Sequence, residues 1–168
     1  DLGVRQTGNR EQIEAFLGKA EEAANLIRHA IDASSFVHVV SHLDADGLAA
    51  AGVIGAALAR LDAIFRVRIE RWLDEKVLQS IVADKPGLII LCDFGSGDLP
   101  LLNSCLSGRS VVVLDHHQPV GVAEAGFVHV NPHVFGVDGS RDLSAAGVAY
   151  FVAKALDKAN VDLACVAG

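Results

Sequence analysis

His42-Leu43-Asp44-Ala45-Asp46-Gly47 lies between two stretches of opposite character. Before it, Phe36-Val37-His38-Val39-Val40-Ser41 is an apolar, β-branched run that predicts a buried strand. After it, Leu48 to Leu61 is rich in Ala, Gly and Leu and predicts a helix beginning near Asp46. Acidic residues and a histidine therefore stand where a strand hands over to a helix. In an extended backbone, residues two apart face the same side, so His42, Asp44 and Asp46 can converge on one point. Such groups form poor cores and good ligands for a hard or borderline cation.

The pattern of a strand followed by a helix recurs along the chain. Glu11 to Ile31 predicts a first helix, with Ile13, Phe16, Leu17, Ala20, Ala24, Ile27 and Ile31 at three-four spacing. Ile64 to Trp72 alternates in character and predicts a half-exposed strand towards a sheet edge. Asp74 to Ala83 predicts a short helix. Leu88 to Cys92 is a continuous apolar strand that ends in Asp93 and the Gly95-Ser96-Gly97 turn. Leu99 to Leu106 predicts another short helix, and Val111 to Leu114 a strand ending in Asp115-His116-His117. Phe127 to Val130 predicts a strand broken by Asn131-Pro132-His133. Asp142 to Asp157 predicts a long helix capped by Asp142 or Ser140, after a Gly136 to Ser140 loop. Val161 to Ala167 reads as the start of a further helix. Three strands apolar throughout, alternating with helices, give an α/β fold: a mostly parallel sheet with helices on both faces. In such sheets ligands bind beyond the carboxyl ends of the strands, and here three strands end in Asp or Asp with His. One domain spanning 1–168 accounts for the chain.

With 168 residues, 51% of them hydrophobic, and a mean hydropathy of +0.37, the chain has the material for a packed core and is neither disordered nor fibrous. His, Asp or Arg interrupts each apolar run before it could span a bilayer. The opening Asp1-Leu2-Gly3-Val4-Arg5 has no initiator methionine and no signal-peptide layout. Cys92, Cys105 and Cys165 form no CxxC pair and fit a reducing, cytoplasmic setting, as small buried hydrophobes. A net charge of −7 argues against a strongly basic nucleic-acid binder. Four of the acids, Asp44, Asp46, Asp93 and Asp115, are nevertheless candidates for one site, where two divalent ions would offset them. A phosphate-bearing substrate is therefore compatible with the charge.

Asp93 alone would be an ordinary turn residue. Asp115-His116-His117 has no evident packing role, and three acidic strand ends in one sheet repel one another unless cations sit among them. Carboxylates suit Mg or Mn and imidazole suits softer ions, so the mixture points to Mn, with Mg second and Zn, Fe or Co as further options. Two such ions can activate water and stabilise a phosphorus under in-line attack, while a nearby histidine protonates the leaving oxygen.

The ordered set His42-Leu43-Asp44-Ala45-Asp46-Gly47, Asp93, Asp115-His116-His117 and Ser144-Ala145-Ala146-Gly147-Val148-Ala149-Tyr150 resembles the signature of the DHH phosphoesterase superfamily. It is most similar to the archaeal RecJ-like branch, single-strand exonucleases that associate with the GINS complex in DNA replication and repair. The resemblance covers Phe36 to the end. It implies a two-Mn phosphodiesterase acting on single-stranded DNA or RNA, with a smaller C-terminal substrate domain. Carried onto this chain, it implies that Asp44 and Asp46 each hold one metal, that Asp93 bridges the two and that His116 is a further ligand. His117 would face the scissile phosphate, with Asp115 orienting the histidines. His42 is a candidate ligand whose two-residue offset from Asp44 leaves its role open. Asp142 and Ser144 open the last long helix, where free amides could receive a phosphate or where they serve as simple caps. Arg141 is a candidate phosphate contact or a surface Arg, and His133 is near the site by position. The family's fourth motif supplies another Asp after that helix. The chain stops at Ala167-Gly168, so the expectation is the N-terminal part of a larger protein, cut before that residue, with weak or absent activity by itself.

Two other readings follow from the same residues. A relative cleaving very short RNAs, cyclic dinucleotides or small phosphates fits the scarcity of aromatic residues for base stacking. A replisome scaffold that binds GINS without catalysis fits the fold, although it gives no reason to keep clustered charges.

Overall fold

The computed structural model describes residues 2–167, with side chains from Arg10 onward. Helices separate the strands except between β4 and β5, which a loop joins: α1 (Leu2–Asp32), β1 (Val37–His42), α2 (Ala45–Arg60), β2 (Phe65–Glu70), α3 (Glu75–Ala83), β3 (Leu88–Cys92), α4 (Leu99–Leu106), β4 (Val111–Leu114), β5 (Phe127–Val130) and α5 (Ala145–Leu156). The strands form one sheet in the order β2-β1-β3-β4-β5, and every pairing is parallel. The sheet expected to be mostly parallel is wholly so, because each connection carries a crossover long enough to return to the same end.

Strand alternation divides the core. Val37, Val39, Leu88, Ile90, Cys92, Val112, Leu114, Val128 and Val130 face a layer made by α1, α2 and α5. Val40, Ile89, Leu91, Val111, Val113 and Phe127 face α3 and α4. Both faces of the central strands are covered, which is why β3 and β4 are apolar at every position. Each fully buried Leu or Ile contributes roughly 1.5–3 kcal/mol. β2 lies at an edge, as its alternating sequence predicts, but its apolar positions Val67 and Ile69 are exposed.

Small residues allow close packing at the site end. α2 buries Gly47, Ala50, Ala51 and Ala57 and packs against α5, which buries Ala145, Ala146, Gly147, Ala149 and Ala153. A Cβ on Gly47 would stand 2.3 Å from the carbonyl oxygen of His42, and the buried Ser41 Oγ donates to the Gly47 carbonyl at 2.7 Å. The glycine lets α2 begin against the end of β1.

Three boundaries differ from the sequence reading. α1 begins at Leu2 rather than Glu11. α5 begins at Ala145 with Ser144 as its cap, not Asp142 or Ser140, because Asp138 draws the preceding residues into a turn: its carbonyl accepts from the amides of Arg141 and Asp142, its carboxylate from Ser140. The chain end is a 3-10 helix, Lys158–Cys165, capped by Asp157, rather than an unfinished α-helix. No described helix is long and apolar enough to cross a membrane.

Candidate metal centre

The chain leaves β1 for the edge strand β2 and then returns to the other side of β1 as β3. Between β1 and β3 the connections therefore diverge, opening the crevice where ligands of such sheets bind. Ser41 pairs with Cys92 in the register, so His42 and Asp93 leave adjacent strands side by side. His42 Nδ1 lies 3.1 Å from Asp44 Oδ2 and 3.5 Å from Asp93 Oδ2. On the other side, His116 Nε2 lies 3.4 Å from Asp93 Oδ1 and 3.4 Å from Asp46 Oδ2. Two groups of potential ligands result, His42/Asp44/Asp93 and Asp93/His116/His117, each with ligand atoms within 4.8 Å of one another. Asp93 belongs to both.

Asp93 is 1% exposed, and among the described residues neither carboxylate oxygen accepts an aligned hydrogen bond. Its φ is +63°, a left-handed conformation uncommon outside glycine. Burial pushes its pKa up, against the pull of His116, and the carboxylates of Asp44 and Asp46 add to the rise. A buried carboxylate without aligned donors, held among other acids, is costly without a cation. The donor set thus fits a divalent ion of the Mn or Mg kind.

The neighbouring strand end is fully satisfied. Asp115 accepts from Ser96 N at 2.8 Å, from His116 N at 2.8 Å, from His117 N at 3.2 Å, and pairs with His117 Nδ1 at 2.8 Å. Burial raises its pKa, but the His117 and Ser96 hydrogen bonds outweigh that and hold it at about 2. Asp115 in turn raises the pKa of His117 and leaves its Nε2 free. His116 Nδ1 meets the Gly139 carbonyl at 2.8 Å, which turns Nε2 towards Asp46 and Asp93. Asp93, before Gly139, pushes the His116 pKa up to about 9.

The His42/Asp44/Asp46 parity holds only in part, because the extended backbone ends at Asp44. Asp44 caps α2 through Gly47 N at 2.9 Å and stays beside His42. Asp46 is already helical, and its carboxylate accepts from Ala145 N and Ala146 N, each at 2.8 Å. The first amides of α5 are thereby taken, and Gly147 N donates to Ser144 Oγ at 3.2 Å. The expectation of free amides for a phosphate is corrected accordingly: Ser144 is a helix cap. Arg141 is exposed and has no side-chain partner among the described residues, and His133 packs against the loop that carries Gly139. None of Arg141, Ser144 and His133 lines the cavity beside the cluster, a space of about 360 Å³ bounded by His42, Asp93, His117, Arg71, Trp72 and Phe94 among others.

Sequence reading misses a network behind the histidines. Asn131 Nδ2 donates to Ser96 Oγ and to the His117 carbonyl, both at 2.8 Å, and Ser96 Oγ meets His129 Nε2 at 2.8 Å. Ser96 and Asn131 stand out in the sequence only as turn and strand-breaking residues. The strand order β3-β4-β5, which brings them together, has no local signal.

The model of the DHH family, N-terminal domain, matches residues 36–167. The chain belongs to the DHH family. An uncharacterised protein of Methanocaldococcus jannaschii is 31% identical over 140 residues, covering 79% of this chain and 32% of that protein. RecJ from Thermus thermophilus, crystallised in complex with Mn2+, superimposes with a TM-score of 0.70 at 27% identity, covering 84% of this chain and 21% of RecJ. A solved DHH domain from a protein described as a member of a family of ribosomal proteins gives a TM-score of 0.75 at 27% identity, over 89% of this chain and 42% of that one. The chain thus spans about a third of the curated relative it matches.

Proposed function

We propose that this chain is the metal-binding catalytic domain of a phosphodiesterase that hydrolyses single-stranded nucleic acid. The observation that carries the reading is Asp93, buried, without aligned donors and shared by two ligand groups. Likeness to RecJ crystallised with Mn2+, and to an exonuclease RecJ bound to manganese, supports the metal and a nuclease reaction. In this reading His42, Asp44 and Asp93 hold one divalent ion, and Asp46, Asp93 and His116 the other. Mn is the first choice and Mg the second. When bound, such ions polarise a phosphoryl oxygen and lower the pKa of water.

The chain's own groups do the rest. The Gly139 carbonyl fixes the His116 ring, so that Nε2 is the ligating nitrogen. His117 is held by Asp115, which raises its pKa, and its free Nε2 is the atom from which a proton would pass to the leaving oxygen. The Ser96 amide donates to the Asp115 carboxylate that orients that histidine, and Asn131 Nδ2 donates to the His117 carbonyl. A second reading, cleavage of very short oligonucleotides, is favoured by the size of the cavity, about 360 Å³, which suits one nucleotide better than a strand.

The test is metal-dependent release of nucleotides from single-stranded DNA and RNA by the full-length protein, over substrates from two residues upward. Mn-dependent hydrolysis is expected. A steep preference for the shortest substrates would select the second reading, and no hydrolysis of any phosphodiester would overturn both.

A further inference from the structure

The cavity beside the metal cluster has lining residues that the proposed chemistry does not use. Besides His42, Asp93 and His117, it is lined by Arg71, Trp72, Leu73 and Phe94. Trp72 is the chain's single tryptophan and is 59% exposed. It lies in the short β2–α3 connection, two residues after Glu70, the last residue of β2, which pairs with His42 in the sheet register. Arg71 and Trp72 therefore emerge next to the β1–α2 turn that carries Asp44.

The indole is also held. The Arg71 guanidinium carbon lies 5.4 Å from the ring centroid, a cation–π contact, and Arg71 has no carboxylate partner among the described residues. A half-exposed ring in contact with a guanidinium, lining a cavity that also holds the candidate metal ligands, has the elements of a base-stacking platform. Aromatic faces accept any base, because every base presents a π-face. Leu73 and Phe94 are each 8% exposed and add apolar surface.

The geometry points to Trp72 as the platform on which a base next to the scissile phosphate stacks, with Arg71 holding the indole in place. This rests on the proposed phosphodiesterase activity and narrows its substrate to base-bearing phosphodiesters, as against sugar phosphates or other small phosphates. The scarcity of aromatic residues in the chain is then no argument against nucleic acid, since one well-placed ring serves.

The test compares the full-length protein with Trp72→Ala and Trp72→Phe on two single strands of equal length, one carrying bases and one abasic. For the base-bearing strand, Trp72→Ala is expected to raise KM about 10-fold or more, with Trp72→Phe close to the parent. On the abasic strand the three proteins should share one KM. Binding of the base-bearing strand should also quench the part of the tryptophan emission that is lost in Trp72→Phe, whereas the abasic strand should not. An unchanged KM for Trp72→Ala, or an equal rise on both strands, overturns the platform while leaving the phosphodiesterase standing. Failure of the parent protein to cleave either strand removes the activity and the platform with it.

Discussion

Asp93 and Asp115 end neighbouring parallel strands, and both are buried. Their surroundings are opposite. Asp115 is saturated by Ser96, His116 and His117, and its carboxyl sits at about 2. Among the described residues Asp93 accepts no aligned hydrogen bond and has only His42 and His116 at 3.5 and 3.4 Å, with a left-handed backbone and a raised pKa. One carboxylate holds the loop together and the other is available to a cation. An acidic strand end is therefore not a ligand by position alone; the donors around it decide.

The largest effect that could break this contrast is at Asp93. Asp93→Asn should lower metal-dependent hydrolysis by about 100-fold or more, since even outer partners of metal ligands cost 10–100-fold. In the metal-free protein above about pH 9, where His116 is neutral, it should cost no stability, because a buried unpartnered charge is removed. Calorimetric metal titration and denaturant unfolding read the two arms. A marked loss of stability would mean that Asp93 is a structural residue after all.

Asp115→Ala should do the reverse. It strands the amide of Ser96 and the ring of His117 and should cost about 2–4 kcal/mol in urea unfolding. Metal binding should weaken less than in Asp93→Asn. Equal stability to the parent would show that the Asp115 hydrogen bonds do not organise the loop.

The pH dependence sharpens the same contrast. In the metal-free protein the His116 pKa is raised from 6.5 to about 9. The folded state thus binds the proton more tightly, so this contribution is complete below pH 6.5 and is lost as pH rises through about 9. Asp115 has the opposite sign: with its pKa lowered from 3.8 to about 2, its contribution is present above pH 3.8 and is lost as pH falls towards 2. Added Mn should reverse the alkaline trend, because His116 ligates only when neutral. Thermal melts with and without metal across roughly pH 6 to 10 check this, and a flat metal-free profile above neutrality would contradict the His116–Asp93 pairing.

Much of this architecture is legible from periodicity. The apolar runs of β3 and β4, the alternation of β2 and the acidic or histidine strand ends follow from local physics, and the DHH family resemblance follows from the motif residues. What local sequence does not carry is the contrast itself. Asp93 and Asp115 both follow apolar strands, and only the path of the following loop supplies or withholds amides. The start of α5 escapes a local reading because Asp138 and Asp142 are equally good turn and cap residues, and the competition between them is settled by the turn at Asp138. Trp72 is visible as an aromatic residue, but its place in the same cavity as Asp93 depends on the pairing of β2 with β1.

Asp46 stands between the two extremes, and the smallest expected effect belongs to it. Its oxygens accept from Ala145 N and Ala146 N, yet Oδ2 also lies 3.4 Å from His116 Nε2. A carboxylate has lone pairs enough for two amides and a cation, so the cap and the ligand role are compatible. Asp46→Asn replaces one acceptor oxygen by a donor that faces an amide, and should cost about 1 kcal/mol, the usual worth of a cap. If Asp46 only caps α5, the metal affinity of this variant should match the parent's once both are folded. If it also ligates, affinity should fall while Asp44, His42 and Asp93 retain one ion, so the titration should show one site lost and one kept. Loss of both sites together would mean that the two ligand groups are a single site, and the sharing of Asp93 would need another explanation.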